Sequence, residues 1–229
     1  MAKARFFYAL RPDPAAAGAL AAIAAQAATR WGGHAFAAGD IHLTLAFVGM
    51  QPLEQQPALQ AILHGLPARF DVSDTARTPG ETDAPDTPDA DPMPALALSR
   101  LGSFGHGVLW IGPARRSDQA APARSFAHAL AQEIRSRLRA AQIAFDERPL
   151  KLHATIVRGA RGFGDERRGE PADAAASADA DAGADDRLAV TSPPIVARAW
   201  SLALGASDGA STPLRRYRWW GPAASASSA

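Results

Sequence analysis

The chain contains no cysteine, which excludes a disulfide framework, a thiolate metal site and a cysteine nucleophile. No run of about 18 apolar residues occurs either, because the Ala-rich stretch after Pro14 is broken by Gln26 and Arg30. No apolar signal core precedes the strand-like segment near Met1, so the expectation is a soluble, cytoplasmic chain without membrane contact. Several catalytic signatures are absent as well. There is no Gly-x-Ser-x-Gly elbow, no Gly-x-x-x-x-Gly-Lys phosphate loop, no Gly-x-Gly-x-x-Gly turn and no His-Glu-x-x-His zinc pair. No metal and no cofactor is expected.

Acidic residues are scarce over most of the chain. The formal net charge of +1 hides two acidic stretches, 71–91 and 165–186, which hold 15 of the 23 acids and three of the 24 bases. The remainder therefore carries 21 bases against 8 acids, an electrostatic match to a polyanion such as RNA. Thr75–Pro94 is rich in Thr, Pro, Asp and Ala, and Glu170–Asp186 is nearly all Ala, Asp, Gly and Ser. Neither stretch has enough apolar side chains to offset the entropy of ordering, so about 75–92 and 165–186 read as disordered acidic insertions. Residues 223–229 read as a frayed Ala/Ser tail. The 229 residues thus predict a single domain over 1–222.

What is left divides into two similar halves. The first reads as a strand (Phe6–Leu10), an Ala-rich helix opened by Pro14, and a strand (Ile41–Val48). The second reads as a strand (Val108–Ile111), a helix from about Arg124 to Ala141, and a strand (Leu150–Val157). In the second helix Phe126, Leu130, Ile134 and Leu138 recur every fourth residue as one buried stripe, and Ser125 or the segment before it is the candidate cap. Further strands are expected at Ala95–Leu101, Val196–Leu204 and Arg216–Trp220, with another helix over Leu53–Leu66. Strand–helix–strand given twice predicts a two-lobed α+β protein with pseudo-twofold symmetry.

The chemistry sits at matching places in the two halves. Ile41-His42-Leu43-Thr44 and Leu152-His153-Ala154-Thr155 each place a histidine two residues before a threonine. Strand alternation sets His42 beside Thr44 and His153 beside Thr155, while Leu43, Leu45, Ala154 and Ile156 turn to the core. A lone His in a strand is more often a hydrogen-bonded structural residue than a catalyst. Two on equivalent strands point to paired proton transfer, because imidazole can give or take a proton near neutral pH. His34, His64, His106 and His128 have no such partner and read as structural or solvated. The five Trp residues read mainly as packing, and Phe47 falls on the core side of its strand by alternation.

These motifs resemble those of the bacterial RNA 2',3'-cyclic phosphodiesterases, also called 2'-5' RNA ligases, within the 2H phosphoesterase superfamily. The resemblance runs through Arg5–Leu10, His42–Gly49, Leu101–Gly105 leading to Val108–Gly112, Arg148–Arg158 and the strand near Tyr217–Trp219. Leu152 and Ala154 depart from the usual residues without removing a functional group, and the two acidic stretches are extra. The resemblance implies antiparallel sheets flanking a central cleft, with helices outside. It implies hydrolysis of RNA 2',3'-cyclic phosphodiester ends to a 2'-phosphomonoester, with His42 as proton donor and His153 as proton acceptor. Thr44 and Thr155 would bind the phosphate. Arg158 matches a basic position near the phosphate, although strict alternation sets it opposite His153, so that role requires a bulge or a strand end. The implied partners are RNA or nucleotides with 2',3'-cyclic phosphate ends, met by a monomer. The same residues would serve 2'-5' RNA ligation, and a non-catalytic nucleotide-binding module is the third reading.

Overall fold

The computed structural model describes residues 2–72, 90–113, 121–161, 163, 193–207 and 217–222. The second acidic stretch and the tail lie outside these residues, as does 73–89 of the first. Residues 90–92, counted above with the first insertion, belong to a strand.

The strands are β1 (Lys3–Pro12), β2 (His34–Ala35), β3 (Leu43–Pro52), β4 (Arg69–Val72), β5 (Ala90–Met93), β6 (Ala97–Ser103), β7 (Leu109–Pro113), β8 (Ala154–Arg158), β9 (Ile195–Val196), β10 (Ala199–Ser207) and β11 (Tyr217–Trp220). The helices are α1 (Pro14–Trp31), α2 (Gln56–Ala61) and α3 (Ala121–Ala140). Two half-sheets, β5-β4-β10-β1-β3 and β8-β7-β6-β9, run edge to edge, with β11 beside β10 and β2 beside β8. Among the described residues every pairing is antiparallel except β4 with β5. β3 and β8 join the halves through the single pair Leu43–Ala154. α1 leans on β8 and β2, while α3 leans on β3. Each long helix therefore covers the histidine strand of the opposite half.

α1 starts where the sequence supplies a cap and a proline. Oδ1 of Asp13 accepts from the backbone N–H groups of Ala15 and Ala16 at 2.9 and 3.0 Å, and Pro14 supplies a pre-set φ at the first helical position. Oδ2 of the same carboxylate accepts from the backbone N–H groups of Arg198 and Ala199 at 2.6 and 3.3 Å, tying α1 to β10. Burial opposes ionisation of Asp13, but its four backbone donors outweigh that and hold the carboxyl below the usual range. Asp13→Ala should therefore cost about 1–3 kcal/mol, a cap plus newly unsatisfied donors. A fall in Tm of under 2 °C for that variant would contradict this, since about 1 kcal/mol corresponds to about 2–4 °C at this size.

α3 buries Ala123, Ala127, Leu130, Ala131, Ile134 and Leu138, the expected stripe widened by alanines, with Phe126 partly covered at its edge. It begins at Ala121, so Ser125 lies inside the helix rather than at its cap. Arg135 is the charged member of this face. Its Nη2 donates to the Arg148 carbonyl oxygen at 3.0 Å, tethering the loop that leads to His153. The helix expected over Leu53–Leu66 shortens to a 3-10 turn at Leu53–Gln55 and the six-residue α2, because the chain passes into turns before Gly65 at φ 70°. Its buried neighbour Tyr8 donates to the Leu59 carbonyl oxygen at 2.7 Å.

The sheets also depart from strict alternation, at the same place in each half. Ala9 pairs with Thr44 and Tyr8 with Ala46, so Leu45 is an extra residue in β3. Trp110 pairs with Thr155 and Leu109 with Val157, so Ile156 is an extra residue in β8. Each bulge turns two consecutive side chains into the core, Leu45 with Ala46 and Ile156 with Val157. The residue five places after each histidine is thereby returned to the histidine's side. Phe47 is that residue in β3, which corrects its expected place in the core; it is half-buried, with the Arg5 guanidinium 5.9 Å over its ring. Arg158 is that residue in β8.

Candidate active site

His42 and His153 stand one residue before the regular strands rather than within them. Nδ1–H of His42 donates to the Asp40 carbonyl oxygen at 2.6 Å, and Nδ1–H of His153 donates to the Lys151 carbonyl oxygen at 2.6 Å. Both imidazoles fold back on the carbonyl two residues earlier. A carbonyl can only accept, so the proton must sit on Nδ1, and in each neutral ring Nε2 is left as the bare acceptor.

The antiparallel pair Leu43–Ala154, carried one residue each way, sets His42 across from Thr155 and Thr44 across from His153. Directly opposed side chains have Cβ atoms about 5 Å apart. His153 is near enough for its charge to act on His42, and the register sets the two hydroxyls beside them, on the face away from the buried Leu43 and Ala154. The Arg158 charge is felt by both histidines, which puts it near both, and its guanidinium lies 5.6 Å over the Phe36 ring.

The two histidines differ in surroundings. His42 is 9% exposed and boxed by aromatic rings: it stacks on Phe7 at 4.8 Å and meets the edges of Tyr217 and Trp219 at 5.3 and 5.2 Å. Burial pushes its pKa down to about 4; the Asp40 carbonyl opposes this, while His153, Arg158 and Arg11 reinforce it. His153 is less enclosed, with the exposed Phe104 ring edge-on at 4.5 Å and Trp110 at 6.2 Å. Burial also lowers its pKa, opposed by the Lys151 carbonyl and reinforced by the Arg158 and Lys151 charges. Both shifts favour the neutral imidazole. Among the described residues no three His, Asp or Glu side chains cluster as a metal site would need.

The aromatic walls are not legible in the sequence as site residues. The sequence favours packing for most of the five Trp residues, yet Trp219 and Trp110 each back one histidine. Each indole lies over a glycine of the neighbouring strand, Gly205 for Trp219 and Gly102 for Trp110. A Cβ on Gly205 would come within 2.7 Å of Trp219 and 2.5 Å of Phe7, and one on Gly102 would collide with the Trp110 ring. An arginine covers each indole, Arg11 at 4.7 Å from Trp219 and Arg100 at 4.6 Å from Trp110. Trp200, by contrast, is core. His34 and His64 stand on an exposed short strand and in an exposed turn; His106 takes a positive φ of 48° in the turn after Phe104.

No sequence-family profile matches the chain, and no curated protein matches its sequence. Solved structures do match over nearly their whole length. The Escherichia coli protein LigT, crystallised with 3'-AMP, superposes with a TM-score of 0.54 at 20% identity, covering 96% of this chain and 99% of that one. A structure described as a phosphoesterase gives 0.52 at 20% identity over 95% and 97%. The protein TT0787 of Thermus thermophilus gives 0.53 at 19% identity over 95% and 97%. The α+β fold of this chain is the fold of Escherichia coli LigT.

Proposed function

We propose that this chain is an RNA 2',3'-cyclic phosphodiesterase that opens the cyclic diester by two-histidine acid–base catalysis. The observation that carries the reading is the twofold-repeated patch: two imidazoles, each with Nδ1 committed to a backbone carbonyl, and two threonines set across from them. Such a pair supports one proton donation and one proton abstraction on opposite sides of a phosphorus atom. Water attacks phosphorus while His153 Nε2 takes its proton. His42, protonated on Nε2, gives a proton to the departing ribose 3'-oxygen, leaving a 2'-phosphomonoester. Thr44, Thr155 and Arg158 donate hydrogen bonds to the non-bridging oxygens, where charge builds up.

The depressed proton affinity of His42 fits this scheme only with substrate bound. The arriving diester anion favours the imidazolium beside it, so substrate and acid proton load together. A binding module would have no use for two imidazoles held in one tautomer. Ligation of a cyclic phosphate to a 5'-hydroxyl replaces water by the hydroxyl and uses the same residues.

Product analysis after incubation with nucleoside 2',3'-cyclic phosphates and a cyclic-phosphate-ended RNA tests the reading. The expected result is a 2'-phosphate, formed equally fast in EDTA, because both proton transfers come from side chains. Intact cyclic phosphate after incubation would reject hydrolysis. A 2'-5' joined product from cleaved RNA halves would move the assignment to ligation.

A further inference from the structure

Arg11 lies near the end of β1 and reaches both the turn before His42 and one ring of its aromatic box. Its Nη2 donates to the Gly39 carbonyl oxygen at 3.3 Å, within the 3-10 turn Ala38–Asp40. The next carbonyl in that turn, Asp40, is the one that takes Nδ1–H of His42. The Arg11 guanidinium also stacks on Trp219, whose ring meets the His42 edge. The Trp219 Nε1–H is buried without a hydrogen-bond partner among the described residues, so only packing and this stack fix the indole. One planar side chain therefore holds the turn that selects the tautomer and the ring that limits the tilt of the imidazole.

A comparable arrangement surrounds His153. Arg100 covers Trp110, Trp110 backs His153, and the Trp110 Nε1–H is likewise buried without a partner among the described residues. The repetition does not follow from strand equivalence. Trp110 pairs with Thr155 where the matching strand position across from Thr44 is Ala9, and Trp219 comes from β11. The same guanidinium–indole–imidazole stack is thus built twice from unlike positions.

We propose that Arg11 is a positioning residue for His42, fixing its tautomer and ring orientation through the Ala38–Asp40 turn and Trp219. This rests on His42 being the proton donor proposed above. Lys retains the charge of Arg11 but not its planar fork, so Arg11→Lys isolates geometry, while Arg11→Met removes fork and charge together. The charged and titratable groups facing His42 are Arg11 from β1, Asp40 from the turn, His153 and Arg158 from the β8 segment, and Tyr217 from β11.

The experiment combines nitrogen-15 spectra of the histidine rings with steady-state kinetics on a nucleoside 2',3'-cyclic phosphate. Wild type should show a single His42 tautomer, protonated on Nδ1. Both variants should show exchange between tautomers and a kcat lower by about 10-fold to 100-fold, the scale of a misplaced group, with KM within about twofold. Removing the charge should also raise the His42 pKa in Arg11→Met above that in Arg11→Lys. Retention of the single tautomer and of wild-type kcat in Arg11→Lys would overturn the proposal. A raised KM at unchanged kcat would overturn it differently, by making Arg11 a substrate contact. Should wild type turn over no cyclic phosphate, the functional reading fails, and the spectra still decide whether Arg11 sets the His42 tautomer.

Discussion

His42→Ala and His153→Ala should each lower kcat on a 2',3'-cyclic phosphate by about 10²–10⁴-fold, the range for one positioned proton transfer. The two losses should not multiply, because donation and abstraction belong to one transition state. His42→Asn is the sharper variant. Its side-chain amide can still donate to the Asp40 carbonyl, which protects the turn, but it has no imidazole nitrogen at the Nε2 position. It should be as inactive as His42→Ala while melting closer to wild type. Thr44→Ala and Thr155→Ala should lose less, each removing one neutral donor. Circular dichroism and kcat measured together decide the matter. A folded His42→Asn or His153→Ala enzyme with near wild-type turnover would remove that residue from the chemistry.

The paired motif is legible because it is local: each His-x-Thr spans three residues at matching points of two matching halves. Its finer geometry is not. Period-2 alternation puts Phe47 in the core and Arg158 on the face away from His153, and the bulges at Leu45 and Ile156 reverse both assignments. A signal exists in the consecutive apolar pairs Leu45-Ala46 and Ile156-Val157, which a half-buried strand accommodates only by giving up its alternation. The aromatic box has no local signal. Phe7, Trp219 and Tyr217 meet at His42 through long-range pairing of β1, β10 and β11, across more than half the chain. The shortened α2 and the displaced start of α3 are boundary effects of turns and of tertiary packing on an otherwise correct helical pattern.

Acidification should destabilise the wild-type fold through His42 in a way that His42→Asn abolishes. The folded pKa is about 4 against an ordinary 6.5, so the folded chain binds fewer protons than the unfolded chain between these values. The sign follows directly: stability contributed by the neutral buried ring is complete above pH 6.5 and is lost as pH falls toward 4. The interval of about 2.5 units corresponds to about 3 kcal/mol, since one unit is about 1.4 kcal/mol. His153 is shifted the same way and its charge opposes that of His42, so the two rings take up protons in two separate steps that belong to the pair. Asp13 and Asp146 also lose native contacts in acid, but lower down, because both are held below the ordinary carboxylate range. Those contributions are common to both proteins and cancel in the comparison. Urea unfolding of wild type and His42→Asn at several pH values between 7 and 4 measures the difference. The wild-type curve should fall relative to the variant by about 3 kcal/mol over that interval. Inorganic phosphate should offset part of the fall, because an anion in the cleft stabilises the imidazolium. Parallel curves for the two proteins would mean that His42 titrates normally in the fold, and the substrate-loaded proton would lose its basis.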